Sequence, residues 1–184
     1  MDTYKAIMGR RSIRRFKDKE VPEKVLEKCV NAGRLSPTGN NLQPLKFITV
    51  TKKLKEVFPH THWAGSIKDW NPSEDEMPRA YIAILKKKGY GLDLDIGIAA
   101  QSICLTAYDE GVASCMLLSI DKEELSEMLP VPDDYELRLM VAMGYPDEKS
   151  EVISSEETEN LKYRYEGETL KVPKRSLDEV WIKW

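Results

Sequence analysis

The sequence is poor in the residues that most often build catalytic and metal sites. Its 184 residues include only two histidines and three cysteines. Cys29, Cys104 and Cys115 lie far apart without metal-ligand spacing, so we interpret them as buried thiols in a reducing compartment. His60 and His62 form a His-x-His pair, but no cysteine or carboxylate cluster nearby in the sequence completes a metal site. We therefore predict that the chain binds no metal.

Several other motifs are absent as well. No apolar run approaches the roughly 20 residues that span a bilayer, and residues 1–5 lack the apolar core of a secretory signal. A cytoplasmic protein without membrane contact is therefore expected. Gly89 and Gly91 do not form the GxGxxG turn of a dinucleotide-binding fold. The net charge of -3 argues against nucleic-acid binding, and the lack of a Ser-His-Asp set argues against a hydrolase.

One motif is conspicuous against this background. Residues 9–16 read GRRSIRRF and contain Arg10, Arg11, Arg14 and Arg15. Planar guanidinium groups form paired, charge-assisted hydrogen bonds with phosphate or carboxylate oxygens, and Ser12 adds a small hydroxyl donor. A concentrated cationic cluster in a mildly acidic chain indicates a site for a specific anion. The alternative is a set of solvated cations at a helix C-terminus, where the helix dipole favours them.

A second motif consists of short polar residues. Residues 36–44 read SPTGNNLQP and are dense in turn formers. The side chains of Thr38, Asn40, Asn41 and Gln43 offer uncharged donors and acceptors, as recognition of a polar heterocycle requires. The alternative is a plain surface connection between a helix and a strand.

Apolar periodicity predicts an alternation of helices and strands. We expect helices over residues 2–9, 22–35 and 92–110, and another that begins after Ser119 or Asp121. Strands are expected over 46–50, 80–85, 113–118 and 137–143, with a turn at 86–89. The alternation lacks the regular repetition of a doubly wound sheet, which favours an α+β sandwich in one domain of 184 residues.

Two segments do not fit this alternation. Residues 60–78 are irregular and contain Trp63 and Trp70, which favours a substrate-facing lid or binding loop. Residues 147–184 lack a core pattern of their own, so we expect this tail to wrap another surface. Small residues on the 92–110 helix allow close approach of another helix, either within the chain or in a second copy.

Four segments, in this order, resemble the FMN-dependent nitroreductase family and together cover nearly the whole chain. They are residues 10–16, 36–44, 95–115, and the pair 144–146 and 174–180. The resemblance implies an α+β fold with a central mixed β-sheet flanked by helices. It also implies an intertwined homodimer that builds two FMN sites at its interface, with residues 147–184 wrapping the partner subunit.

The resemblance implies roles for individual residues as well. Arg10, Arg11 and Ser12 would hold the ribityl phosphate, and Arg14 would lie near the pyrimidine side of the flavin. Lys174 and Arg175 would return to the phosphate, with Lys162, Arg164 or Lys171 as alternatives to Lys174. The partner subunit would contribute Pro37, Thr38, Gly39, Asn41 and Gln43 along the ring. The segment beside the flavin N5 would be Met116, Leu117 and Leu118.

The activity that the resemblance implies is hydride transfer from NADH or NADPH through FMN to an electron-poor acceptor, such as a nitroaromatic or a quinone. Because the cofactor carries this chemistry, the protein needs no catalytic nucleophile, and the residue inventory agrees with that. Three alternatives remain: a dehalogenase or related chemistry on the same fold, an FMN-binding protein without turnover, and a phosphopeptide-binding module that uses the arginine cluster.

Overall fold

The structure is a computed structural model, and it describes residues 2–63, 65, 67, 70–157 and 160–184. Its helices are α1 (Thr3–Gly9), α2 (Glu23–Arg34), α3 (Leu54–Val57), α4 (Asp93–Asp109), α5 (Lys122–Met128) and α6 (Leu177–Val180). Its strands are β1 (Leu45–Val50), β2 (Ala80–Lys87), β3 (Ala113–Leu117), β4 (Tyr135–Gly144), β5 (Lys149–Ser154), β6 (Arg164–Glu166) and β7 (Thr169–Lys174). The predicted elements are confirmed, with boundaries shifted by a residue or two. No described helix is long and apolar enough to cross a membrane.

The main sheet has four strands in the order β1-β2-β4-β3. All of its pairings are antiparallel, whereas a mixed sheet was expected. Each pair of neighbours runs in opposite directions, so no parallel crossover arises within this sheet. Strand β2 lies at its centre and is buried from Ala80 to Lys86, because both faces of the sheet are covered. This explains its continuous apolar sequence.

Helices α2 and α4 cover one face of the main sheet. Ile82 and Ile84 of β2 belong to that core together with Leu26 of α2 and Ile103 of α4. A Cβ built at Gly33 would lie 3.0 Å from Ile103, so the glycine permits the close approach of the two helices. The small residues of α4 therefore serve an internal contact at Ala99 and Ala100, which are fully buried, while Gly97 stays exposed.

The opposite face of the main sheet contains a residue that was expected in a binding loop. Trp63 is only 5% exposed and packs on Phe16 and Phe58, so it belongs to the second core rather than to a substrate-facing loop. Its indole N–H donates to Thr61 Oγ1 at 3.1 Å, which removes the cost of burying that polar group.

The end of β2 differs from the sequence-based expectation. The predicted turn at residues 86–89 begins later, because pairing with β4 extends β2 through Lys87. Lys86 Nζ reaches Asp93 at 2.5 Å.

The C-terminal tail forms a small second sheet in the order β5-β7-β6. The β5–β7 pairing is parallel and the β6–β7 pairing antiparallel, and Leu170 of β7 is buried. The tail thus has a small core contact that its polar sequence did not predict. Beyond β7, a capping box between Ser176 and Glu179 starts α6. The large apolar side chains from α6 to the C-terminus are exposed.

Candidate functional site

The arginine motif leaves α1 and runs beside strand β3. Arg10 is the C-cap of α1 and has an extended backbone, with its N–H donating to Ala6 O at 2.9 Å. Ile13 N then donates to Ser114 O at 3.1 Å, and Ser12 forms a bridge with Ser114. The side chain of Ile13 is buried. This anchoring fixes the segment that carries Arg10, Ser12 and Arg14 along the edge of β3.

The arginines of the motif have different partners. The guanidinium of Arg11 donates to Arg10 O at 2.6 Å and to Met8 O at 2.7 Å, so it covers the carbonyls at the end of α1. Arg15 Nε donates to Glu76 Oε1 at 2.7 Å, and this bond raises the pKa of Arg15. The helix-end alternative therefore describes Arg11, and an ion pair accounts for Arg15. Neither account applies to Arg10.

Arg10 lines a cavity of about 210 Å³ between the end of α1, the end of α4 with the start of β3, and residues 146–150. Arg11, Tyr108 and Ser150 also line it. Arg10 Nε and Ser150 Oγ are buried and have no hydrogen-bond partner among the described residues. Leaving a buried donor unsatisfied is costly, and most such groups in native proteins are paired. The cavity is therefore suited to a ligand that accepts hydrogen bonds, such as a phosphate.

Glu148 contributes a negative charge to the same cavity. Its carboxylate accepts hydrogen bonds from the backbone N–H of Arg14 and from the hydroxyl of Tyr165. Burial, and after it the Glu148 carboxylate, raises the pKa of Tyr165. The guanidinium of Arg14 lies 4.8 Å from the ring centroid of Tyr163. The tail is thus fastened over residues 12–14 of its own chain.

Sequence reasoning missed Glu148 and Tyr165. A signal for Glu148 was available, because it lies two residues after the Gly144-Tyr145-Pro146 turn that ends β4. That turn pairs with the arginine segment: Phe16 forms a bridge with Pro146, and Asp147 N donates to Arg15 O at 2.9 Å. No comparable signal marks Tyr165, because its contact depends on how β6 folds back.

The polar loop of residues 36–44 starts beside the middle of α4, where Ser36 Oγ donates to Ser102 Oγ at 2.8 Å, and then runs to the opposite end of that helix. It contains a short 3-10 turn (Gly39–Asn41), and Gly39 N donates to Asp95 in the first turn of α4. The arginine-lined cavity instead includes Tyr108 and Gly111, at the end of that helix. A helix of 17 residues is roughly 25 Å long. A single chain therefore does not bring the polar loop and the arginine cluster together.

Some of the remaining predicted site residues lie beside the arginine segment, and others do not. Met116 and Leu117 lie on β3 beside the arginine segment; Leu117 is buried in the core, while Leu118 is 71% exposed. Lys174 and Arg175 are exposed at the end of β7. No hydrogen bond or ion pair joins either of them to residues 10–12 in the described part of the chain. Of the proposed substitutes for Lys174, Arg164 pairs with Glu166 and Lys171 with Glu151.

Within the polar loop, the predicted residues differ in their exposure. Thr38 Oγ1 accepts from Gln43 N at 3.0 Å, so the Thr38 hydroxyl stabilises the loop itself. The side chains of Pro37, Asn41 and Gln43 are exposed. Three of the four predicted polar side chains, those of Asn40, Asn41 and Gln43, thus face outward from the single chain.

The two histidines bind one carboxylate. His60 Nδ1 lies 3.2 Å from Asp121 Oδ2, and His62 Nε2 lies 2.7 Å from Asp121 Oδ1. His62 N also donates to Ser119 O, and Asp121 N to His60 O, both at 3.0 Å. Across the described residues no group of three or more side chains is arranged to hold a metal ion. The His-x-His pair thus fastens its loop to the start of α5.

This pairing predicts a pH-dependent contribution to stability. The hydrogen bonds from His62 and then His60 lower the pKa of Asp121. The carboxylate therefore stabilises the fold above the unfolded-state pKa of about 3.9, and this contribution is lost as pH falls through the folded-state value. We expect Asp121→Asn to lower the urea midpoint of unfolding at pH 5. The difference in midpoint between wild type and this variant should shrink as the pH falls towards 3. Asp133→Asn, at an exposed position, is the control. A gap that widens on acidification would contradict this account.

Comparison with known proteins identifies similar sequences. The family model described as "Nitroreductase family" matches residues 7–145. A relative from Methanothermobacter thermautotrophicus, provisionally named NADH dehydrogenase/NAD(P)H nitroreductase, is 30% identical over 159 residues, covering 80% of this chain and 79% of the relative. An iodotyrosine deiodinase from Thermotoga neapolitana is 23% identical, covering 79% of this chain and 89% of that protein.

Solved structures show the same fold. A nitroreductase family protein from Streptococcus pneumoniae covers 100% of both chains with a TM-score of 0.73 and 20% identity. An FMN-dependent nitroreductase from Clostridium difficile covers 89% of this chain and 99% of its own, with a TM-score of 0.67 and 24% identity. A protein provisionally described as a nitroreductase in complex with FMN, from Desulfovibrio desulfuricans, covers 80% and 88%, with a TM-score of 0.65 and 22% identity. The predicted α+β sandwich is confirmed.

Proposed function

This chain belongs to the nitroreductase family, and from that membership we propose that it is an FMN-dependent oxidoreductase. The observation that carries the proposal is the buried Arg10 Nε, which lines a cavity of about 210 Å³ and lacks a partner among the described residues. A phosphate oxygen would satisfy this donor. Two arginines, Arg10 and Arg11, line this cavity with one carboxylate, Glu148, which already accepts from Arg14 N and the Tyr165 hydroxyl. The positive balance fits the phosphate end of FMN, the cofactor named for two of the solved relatives.

When bound, FMN supplies the redox chemistry, accepting hydride from NADH or NADPH and passing it to an electron-poor acceptor such as a nitroaromatic or a quinone. The chain's own residues bind and orient it. Arg10 would donate to the phosphate from the cavity wall, and Ser12 from beside it, where it forms a bridge with Ser114. Arg11 adds positive charge from its position over the α1 carbonyls. Lys174 and Arg175 would add to the phosphate contacts after the tail is placed in an assembly.

Arg14 would act at the pyrimidine side of the flavin. A positive charge there stabilises the negative charge that reduction places on the ring. The Arg14 guanidinium is held by the Tyr163 ring, and its backbone N–H is held by Glu148. The neighbouring backbone of Met116, Leu117 and Leu118 would border the flavin N5. These contacts fix the position of the charge before the cofactor binds.

The division of the site along α4 supports a homodimer. The loop with Pro37, Thr38, Gly39, Asn41 and Gln43 reaches one end of the helix at Gly39, and the arginine cavity lies at the other end. A flavin held at the cavity would therefore meet this loop only from a second copy. Exposed apolar residues of the tail, including Trp181 and Ile182, are suited to a subunit contact. We propose one FMN-binding domain over residues 1–184. Because Glu148, Tyr163 and Tyr165 hold the first part of the 147–184 tail on its own chain, the part that would wrap the partner is the exposed end of the tail beyond β7.

The kinetic mechanism provides the test of this function. We expect purified protein to carry FMN and to show parallel double-reciprocal plots with NADH or NADPH and a nitroaromatic or quinone. Because the described chain offers no separate nicotinamide-binding domain, the donor and the acceptor would use the same flavin face in turn. Recovery of FAD, or of no flavin after reconstitution, would contradict the cofactor, and intersecting plots would contradict the alternating mechanism.

A second candidate activity uses the same cofactor. The similarity to an iodotyrosine deiodinase over 79% of this chain favours reductive removal of halide from an aromatic ring as the alternative. Steady-state turnover of a halotyrosine, compared with that of a nitroaromatic under the same anaerobic conditions, distinguishes the two. Release of halide at the faster rate would assign the dehalogenase reaction to this chain.

A further inference from the structure

Asp95 is a buried carboxylate that joins two parts of the chain. It lies in the first turn of α4 and is 1% exposed. Its Oδ2 accepts from Leu92 N at 3.2 Å, which caps the helix, and its Oδ1 accepts from Gly39 N at 3.0 Å. Each carboxylate oxygen thus receives a backbone donor, and one of these donors belongs to the polar loop of residues 36–44.

The loop that Asp95 holds has a strained backbone. Asn40, Asn41 and Gln43 have φ values of 50°, 55° and 50°. Non-glycine residues rarely adopt this left-handed conformation, although asparagine tolerates it better than most. Such conformations persist when surrounding contacts over-determine them, and they cluster at binding sites. The loop therefore needs external contacts to keep its shape.

Two close contacts beside Asp95 show how tightly the loop is seated. A Cβ built at Gly91 would lie 2.3 Å from Pro44, and one built at Gly39 would lie 3.0 Å from Leu92. The backbone of Lys87 also donates to Pro44 O at 2.9 Å. The loop thus packs against the turn before α4, and the Asp95 carboxylate closes this junction at Gly39.

We propose that Asp95 is a positioning residue that holds Asn41 and Gln43 in the orientation required for the flavin ring of the partner subunit. The inference rests on the proposed function. Hydrogen-bond chemistry explains why this position requires a carboxylate. A carboxylate accepts at both oxygens, whereas an asparagine would place an NH₂ group against one of the two N–H donors. Asp95 itself touches neither the cofactor nor the substrate; it acts through Gly39.

The test compares Asp95→Asn with Asp93→Asn, a matched control. Asp93 lies in the same helical turn and loses the same charge, but it pairs with Lys86 and Arg138 and not with the loop. Losing one charge-assisted hydrogen bond should raise amide exchange over residues 36–44 by roughly 10- to 150-fold in Asp95→Asn and leave it unchanged in Asp93→Asn. FMN titration should show weaker binding in Asp95→Asn by roughly tenfold or more.

The two readouts separate failure of this inference from failure of the proposed function. Equal amide exchange over residues 36–44 and equal FMN affinity in both variants would overturn the role of Asp95. Faster amide exchange in Asp95→Asn with unchanged FMN affinity would overturn it as well. If wild-type protein takes up no FMN, the proposed function fails, and the exchange data alone decide whether Asp95 holds the loop. Should Asp95→Asn not fold, Asp95→Ser serves in its place, because its short hydroxyl suits a helix start but does not reach Gly39.

Discussion

Replacing Arg10 with alanine should weaken FMN binding by roughly 10- to 150-fold, the equivalent of one charge-assisted hydrogen bond of about 1.5–3 kcal/mol. The variant removes a buried guanidinium donor that has no partner in the described part of the chain. Its loss should therefore cost the apo-protein little stability. Titration of FMN into the apo-variant, followed by flavin fluorescence, measures the affinity, and urea unfolding of the same sample measures the stability.

Arg15→Ala is the control for this experiment. Arg15 belongs to the same motif, but its guanidinium is occupied by Glu76 and is 35% exposed. We expect the FMN affinity of Arg15→Ala to be close to that of wild type, since the Arg15 guanidinium is bound to Glu76 and is not among the residues that line the cavity. Similar small effects at Arg10 and Arg15 would mean that the cavity lined by Arg10 does not hold the phosphate of FMN, and the proposed phosphate site would be wrong.

The second large effect is expected at Gly91. Its φ of +74° favours glycine, and a Cβ there would lie 2.3 Å from Pro44. Gly91→Ala should lower the free energy of unfolding by roughly 2–5 kcal/mol, combining backbone strain of about 1–2 kcal/mol with an overpacking cost of about 1–3 kcal/mol. Because the clash displaces the loop of residues 36–44, FMN affinity should fall as well. Urea unfolding and FMN titration check the two effects.

Gly89→Ala is a matched control for the contribution of backbone strain. Gly89 has a φ of +65° in the same turn, but nothing lies within 4 Å of a Cβ built there. The control should therefore cost only about 1–2 kcal/mol and should leave FMN affinity unchanged. If both alanine variants lose the same stability, the contact between Gly91 and Pro44 is not tight, and the loop is seated less firmly than the distances indicate.

Local sequence patterns were sufficient for the elements of the fold. The apolar spacing of α2 identified Val25, Leu26, Cys29, Val30 and Gly33 as its inner face; Val30 is partly buried against the core, and the other four are buried. The apolar run at residues 80–85 identified the central strand β2. Periodicity succeeds here because burial repeats along one helix or strand, so the apolar pattern within each element indicates which side faces the core. The arginine motif and the polar loop were also recognisable, since unusual residue types are concentrated in short stretches.

The partners of individual side chains were decided only by the tertiary structure. Nothing within residues 9–16 distinguishes Arg10, which lines the cavity, from Arg11, which covers helix carbonyls, or Arg15, which pairs with Glu76. Trp63 was misplaced for the same reason, because its burial depends on the distant Phe16. Glu148 meets Arg14 across 134 residues of sequence, and Asp95 meets Gly39 across 56. Such contacts leave no periodic signal, because they arise from how separate elements pack and not from any repeat within one of them.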